Sequence, residues 1–121
     1  MNNSKQSDCL IYGVNINHSV TPIMVRDAII ACFTEAHAKE LEELRGYSQD
    51  NEEQFEATKK IDVEMIIKKM FEETNHDFDN PTKESLLRVI SKLAEFARNF
   101  RDQETVSKHY QNIQTLIAHI E

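Results

Sequence analysis

Thr21-Pro22-Ile23-Met24-Val25-Arg26-Asp27-Ala28-Ile29-Ile30-Ala31-Cys32-Phe33 is the stretch that decides the fold. Thr21 can accept a hydrogen bond from the amides of a first helical turn. Pro22 follows at the one helical position where a missing N–H costs nothing. From Ile23 to Phe33 only Arg26 and Asp27 carry charge, so the helix that begins here is apolar around most of its circumference. Such a helix has to be covered on most sides. The same helix continues as an ordinary amphipathic one through Glu35 to Arg45, with Ala36, Leu41 and Leu44 inward, and Gly46 is its natural stop.

Downstream, a second helix is expected to start after Ser48 or Asp50 and to end near Asn75. Val63, Ile66, Ile67, Met70 and Phe71 recur at helical spacing, with Lys68, Lys69, Glu72 and Glu73 outside. The pattern thins between Phe55 and Ile61, and Asp62 could cap a fresh helix, so a break is allowed there. His76 to Asn80 reads as a loop. Asn80-Pro81 repeats the start signal, and Leu86, Ile90, Leu93, Ala97 and Phe100 follow at intervals of four and three, widened by Leu87, Val89 and Phe96. Val106, Tyr110, Ile113, Ile117 and Ile120 keep that spacing in a different phase, because Glu104 and Ser107 stand where the earlier stripe would continue. Residues 81–120 are therefore either two helices broken near Asp102 or one helix with a stutter.

Upstream, residues 1–8 are polar and read as a flexible tail. Leu10, Tyr12, Val14 and Ile16 alternate with Ile11, Gly13, Asn15 and Asn17, the period of an extended segment. A lone strand must pack on helices or pair with a copy from another subunit, since its backbone groups need partners. The expected fold is all-α: a small antiparallel helical bundle of three to four helices with an extended N-terminal arm, residues 9–121 forming one domain.

The totals agree. A chain of 121 residues suits one core, and two Gly and two Pro are too few for the turns of an all-β fold. The net charge of −7 and the absence of Trp weigh against nucleic acid, whose phosphates need clustered Lys and Arg. Helix three, with Arg88, Lys92, Arg98 and Arg101, is the only basic candidate, and acids dilute it. No stretch is long and apolar enough to span a bilayer or form a signal core, so a cytoplasmic location is expected. Cys9 and Cys32 form neither a C-x-x-C motif nor a disulfide framework.

Candidate chemistry is sparse. Glu73 and His76 stand three apart, the spacing of a carboxylate and an imidazole in carboxylate-bridged metal bundles. They are the weak metal candidates, with Asp77 and Asp79 nearby, but no second Glu-x-x-His exists to complete such a centre. Cys32 and His37, five apart, face different ways on a helix, and apolar neighbours should raise the thiol's pKa. Arg98-Asn99 opens as the Arg-Asn-x-x-x-His signature of toxin-type helical ribonucleases does, yet Gln103 occupies the histidine position, so nothing of that family is carried over. No cofactor is implied.

Charge is uneven: Glu35 to Glu56 holds eight acids against Lys39 and Arg45, while Lys83 to Lys108 holds six bases against four acids. The two segments could face each other within a subunit or across a dimer. These features together predict a non-enzymatic protein-interaction or adaptor module that self-associates, a dimer being simplest. The expected interface is Tyr12, Val14, Ile23, Arg26, Asp27, Ile30, Val106, Tyr110, Ile113 and Ile117. The competing account is that the N-terminal arm covers helix one within a single chain.

Overall fold

The computed structural model describes residues 10–45 and 52–120, with side chains for 10–41 and 62–120. The expected tail at 1–8, Cys9 and the stop at Gly46 lie outside the described residues, and the side chains of Leu44, of Phe55 to Ile61 and of the acids from Glu42 to Glu56 lie outside the description. A short hairpin, β1 (Leu10–Ile11) and β2 (Val14–Asn15), precedes four helices: α1 (Pro22–Arg45), α2 (Glu52–Glu73), α3 (Lys83–Phe96) and α4 (Gln103–Ala118). The all-α expectation holds.

The N-terminal arm is not one extended strand. It folds back so that Leu10 pairs with Asn15 and Ile11 with Val14, antiparallel. Tyr12 and Gly13 carry the turn at φ 52° and φ 80°, the doubly positive pattern of a two-residue type I′ hairpin. The arm thus satisfies part of its backbone by itself, and Ile11, Tyr12, Val14 and Ile16 pack against the helical core.

Helix α1 begins as its sequence predicts: Thr21 Oγ1 accepts from the Met24 amide at 3.2 Å, and Thr21 O accepts from Val25 N. Helix α2 runs through Asp62 without a break. It ends in a left-handed Asn75 (φ 62°), with His76 N–H donating to Phe71 O at 2.8 Å and Asn75 N–H to Glu72 O at 3.0 Å. This is a Schellman cap, which satisfies carbonyls that the helix end leaves open.

The start of α3 differs from the Asn80-Pro81 expectation by two residues. Thr82 is the N-cap: its Oγ1 accepts from Ser85 N (3.1 Å), while Ser85 Oγ accepts from Thr82 N (2.8 Å). Asn80 instead donates its amide to Asp77 Oδ2 at 2.9 Å, and Pro81 is buried just before the cap. Of the two alternatives for 81–120 the chain takes the break, since Asp102 caps a separate α4 by accepting from Thr105 N at 3.0 Å.

The core lies where these helices meet. Helix α1 touches α2, α4, α3 and β2, and α3 touches both α2 and α4. Val25, Ile29 and Phe33 of α1 meet a cluster that includes Ile67 and Phe71 of α2, Leu86 and Leu93 of α3, and Ile113 and Leu116 of α4. Each large aliphatic side chain so buried stabilises the fold by roughly 1.5–3 kcal/mol relative to exposure. A parallel bridge between Val20 and Ile120 brings the segment before α1 against the residue after α4. Among the described residues, no helix is long and apolar enough to cross a membrane.

Candidate interaction surface

The expected interface residues separate into two groups. Ile30 (6 % exposed), Val106 (8 %), Ile113 (0 %) and Ile117 (1 %) are buried inside the single chain. Their apolar surface is already covered, so the seam read from Val106 to Ile120 is a core face of α4 rather than a surface stripe. Tyr12, Val14, Arg26 and Tyr110 are half-buried, and Ile23 and Asp27 are exposed. The front of α1 is sheltered more fully than its composition suggested, because β2 lies on it in addition to the other helices.

What stays open on α1 is a narrow stripe. Ile23 is 48 % exposed and Met24 43 %, and Asp27 and Ala31 continue along the same face. Beside it lies a concavity of about 350 Å³, lined by Arg26, Asp27, Ile30 and Ala31 of α1, Glu64 of α2 and Phe78 of the α2–α3 loop. Met65, next to Glu64 in α2, is 63 % exposed.

Arg26 builds one wall. Its guanidinium donates to Phe78 O (2.9 Å) and to Asp27 Oδ1 (3.0 and 3.2 Å), and lies 4.6 Å from the centre of the Phe78 ring. The Lys68 ammonium approaches the same ring at 5.4 Å, so two cations meet one aromatic quadrupole. Phe78 in turn stands edge-on to the fully buried Phe71, with centroids 5.5 Å apart. The loop is thereby pinned to the core by one aromatic and to α1 by one arginine.

Sequence reasoning found Ile23, Arg26, Asp27 and Ile30 but missed Glu64, Lys68 and Phe78. A signal for Phe78 was present: a large apolar side chain in the otherwise polar stretch from His76 to Asn80 has to pack on something. Nothing local to Glu64 or Lys68 marks them.

Glu73 and His76 do not share a helical face. The left-handed Asn75 ends the helix between them, and Glu73 pairs with Lys92 of α3 at 3.5 Å. Asp77 organises the loop, accepting from Asn80 Nδ2 (2.9 Å) and Asp79 N (3.0 Å), which hold its carboxyl below the usual range. Among the described residues no three His, Cys, Asp or Glu side chains converge as a metal site would require. Cys32 is buried, donates weakly to Ile29 O at 3.6 Å, and burial pushes its thiol up to about 12, so it is a thiol and not a nucleophile near neutrality. His37 stacks with Phe100 and tilts against Phe96, away from Cys32.

Tyr12, at the tip of the hairpin, reaches α4. Its hydroxyl bonds to His109 Nδ1, and Asn112 Nδ2 donates to the same oxygen at 3.2 Å. No family model, curated protein or solved structure matches this chain.

Proposed function

We propose that this chain is a non-enzymatic protein-interaction module that self-associates, as a two-fold dimer in the simplest arrangement, in the cytoplasm. The observation that supports it is the concavity between α1 and α2, lined by Arg26, Asp27, Ile30, Ala31, Glu64 and Phe78, together with the exposed Ile23 and Met24 of α1 and Met65 of α2. Apolar side chains rimmed by polar ones are the composition of an interaction surface. A second copy of α1 would bring its own Ile23 and Met24 to that rim, and a two-fold axis repeats every contact. The contact area proposed is smaller than the sequence suggested, because Val106, Ile113 and Ile117 of α4 are buried within the single chain.

Size-exclusion chromatography with light scattering on the intact chain tests this. The wild type is expected to run as a dimer at micromolar concentration, and the pair Ile23→Glu with Met24→Glu to run as a folded monomer. Leu87→Glu, an equally exposed position on α3, is expected to leave the dimer intact. A wild type that is monomeric at these concentrations would end the proposal of self-association.

A further inference from the structure

Tyr12 is an unusual occupant of its position. Left-handed backbone at φ 52° suits Gly, Asn or Asp, and an aromatic residue is strained there. The side chain offsets that strain through long-range contacts. Its hydroxyl is held by His109 Nδ1 and Asn112 Nδ2 of α4 and adjoins the Cys32 thiol of α1, and its ring tilts against the His109 imidazole at 5.6 Å. The hairpin is thus fastened to two helices through one phenol.

The stability of the contact depends on the charge of His109. In the Nδ1–H tautomer of a neutral His109 the Tyr12 oxygen accepts from both Asn112 Nδ2 and His109 Nδ1, and the buried Nε2 carries no proton. An imidazolium keeps the Nδ1–H bond to the Tyr12 oxygen and adds a second proton, at Nε2. On the other side of the ring, Nε2 is buried with no hydrogen-bond partner among the described residues, and Phe33 packs against the ring at 5.9 Å. The added proton would sit on a buried nitrogen that has no acceptor among the described residues.

We propose that the Tyr12–His109–Asn112 contact is an acid-released latch: protonation of His109 frees the β1–β2 hairpin from α1 and α4 while the four helices stay packed. The titratable and charged groups near His109 are Tyr12 on the hairpin, Cys32 and Glu35 on α1, and Asp102 at the start of α4. Glu35 and Asp102 favour the imidazolium, but Asp102 is engaged by Thr105 and by Lys39 at 3.2 Å. Burial outweighs both carboxylates and holds His109 below its ordinary 6.5. A released His109 titrates near that ordinary value, so the released state binds more protons. Docking is therefore at full strength above about pH 6.5 and is lost as pH falls below it.

Amide hydrogen exchange on the whole chain, compared at about pH 7.5 and about pH 5.5 as protection factors, reads this directly. At the lower pH the Ile11 and Val14 amides are expected to lose protection while those of Val89 and Ile90 in α3 keep theirs. His109→Gln retains a hydrogen-bond donor for the Tyr12 oxygen but cannot titrate, and its hairpin is expected to stay protected at both values. His18→Gln, at the exposed exit of the hairpin, is expected to behave as the wild type. Equal hairpin protection at both pH values in the wild type, or a His18→Gln chain that no longer responds, would overturn the latch. If His109→Gln leaves the hairpin unprotected throughout, an NMR titration of the wild-type His109 ring decides: its midpoint must coincide with hairpin release, and a mismatch overturns the assignment.

Discussion

Asp102 shows how much one carboxylate can organise. It caps α4 through Thr105 N, accepts the Thr105 hydroxyl at 2.7 Å and meets Lys39 of α1 at 3.2 Å. These donors, the Thr105 hydroxyl foremost, bring its pKa down to about 2 from an ordinary 3.8. A depressed carboxyl stabilises the fold fully above the ordinary value and loses that contribution as pH falls through the folded one. Asp102→Asn is therefore expected to lower the denaturation midpoint at neutral pH and to flatten its decline between about pH 4 and about pH 2. Circular dichroism during denaturant titrations at stepped pH measures both. Sequence alone marked Asp102 as a break point, because the apolar phase fails at Glu104 and Ser107. It gave no sign of Lys39, whose approach depends on how α1 and α4 cross. Tyr12 is a similar case: its alternation with Ile11 and Gly13 was visible, but its partners stand 97 and 100 positions away.

At the level of elements, boundaries depend on which of several competent residues wins the cap. Asn80-Pro81 and Thr82-x-x-Ser85 both satisfy the local rules for a helix start. The second prevails because Ser85 returns a hydrogen bond to the Thr82 amide, while Asn80 is already committed to Asp77. Thr82→Ala should cost about 1 kcal/mol of stability by chemical denaturation, and Thr82→Ser only a small part of it. The helices themselves were legible because each carries several turns of apolar repeat, long enough for period to decide. The hairpin was not, since strands of two residues are too short for a period of two to be distinguished from an extended arm. Its turn also lacks the Asn-Gly or Asp-Gly pair that usually announces one. The spacing of Glu73 and His76 misled for a related reason: three residues apart means a shared face only while the helix continues, and the Asn75 cap intervenes.

For the molecule as a whole, the surplus of apolar surface on α1 demands cover, and much of that cover comes from within the chain. The arm, α2 and α4 meet most of it, leaving Ile23, Met24 and Ala31. The acidic and basic segments do approach one another, but through unexpected atoms: Lys39 reaches Asp102, and Glu40 Oε1 accepts from the Arg101 backbone amide at 2.9 Å. Exposed contacts of this kind stabilise by only ~0–1 kcal/mol each, so the fold rests on burial. The bridge from Val20 to Ile120 closes a loop of about a hundred residues, which costs roughly 4 kcal/mol of chain entropy before any contact repays it. Such a closure belongs late on the folding route, after the local helical pairs exist. Ile120→Ala is accordingly expected to shift only the unfolding limb of a chevron plot and to leave the refolding limb in place. Lifetime against transient opening, and not speed of assembly, is what that clasp would govern.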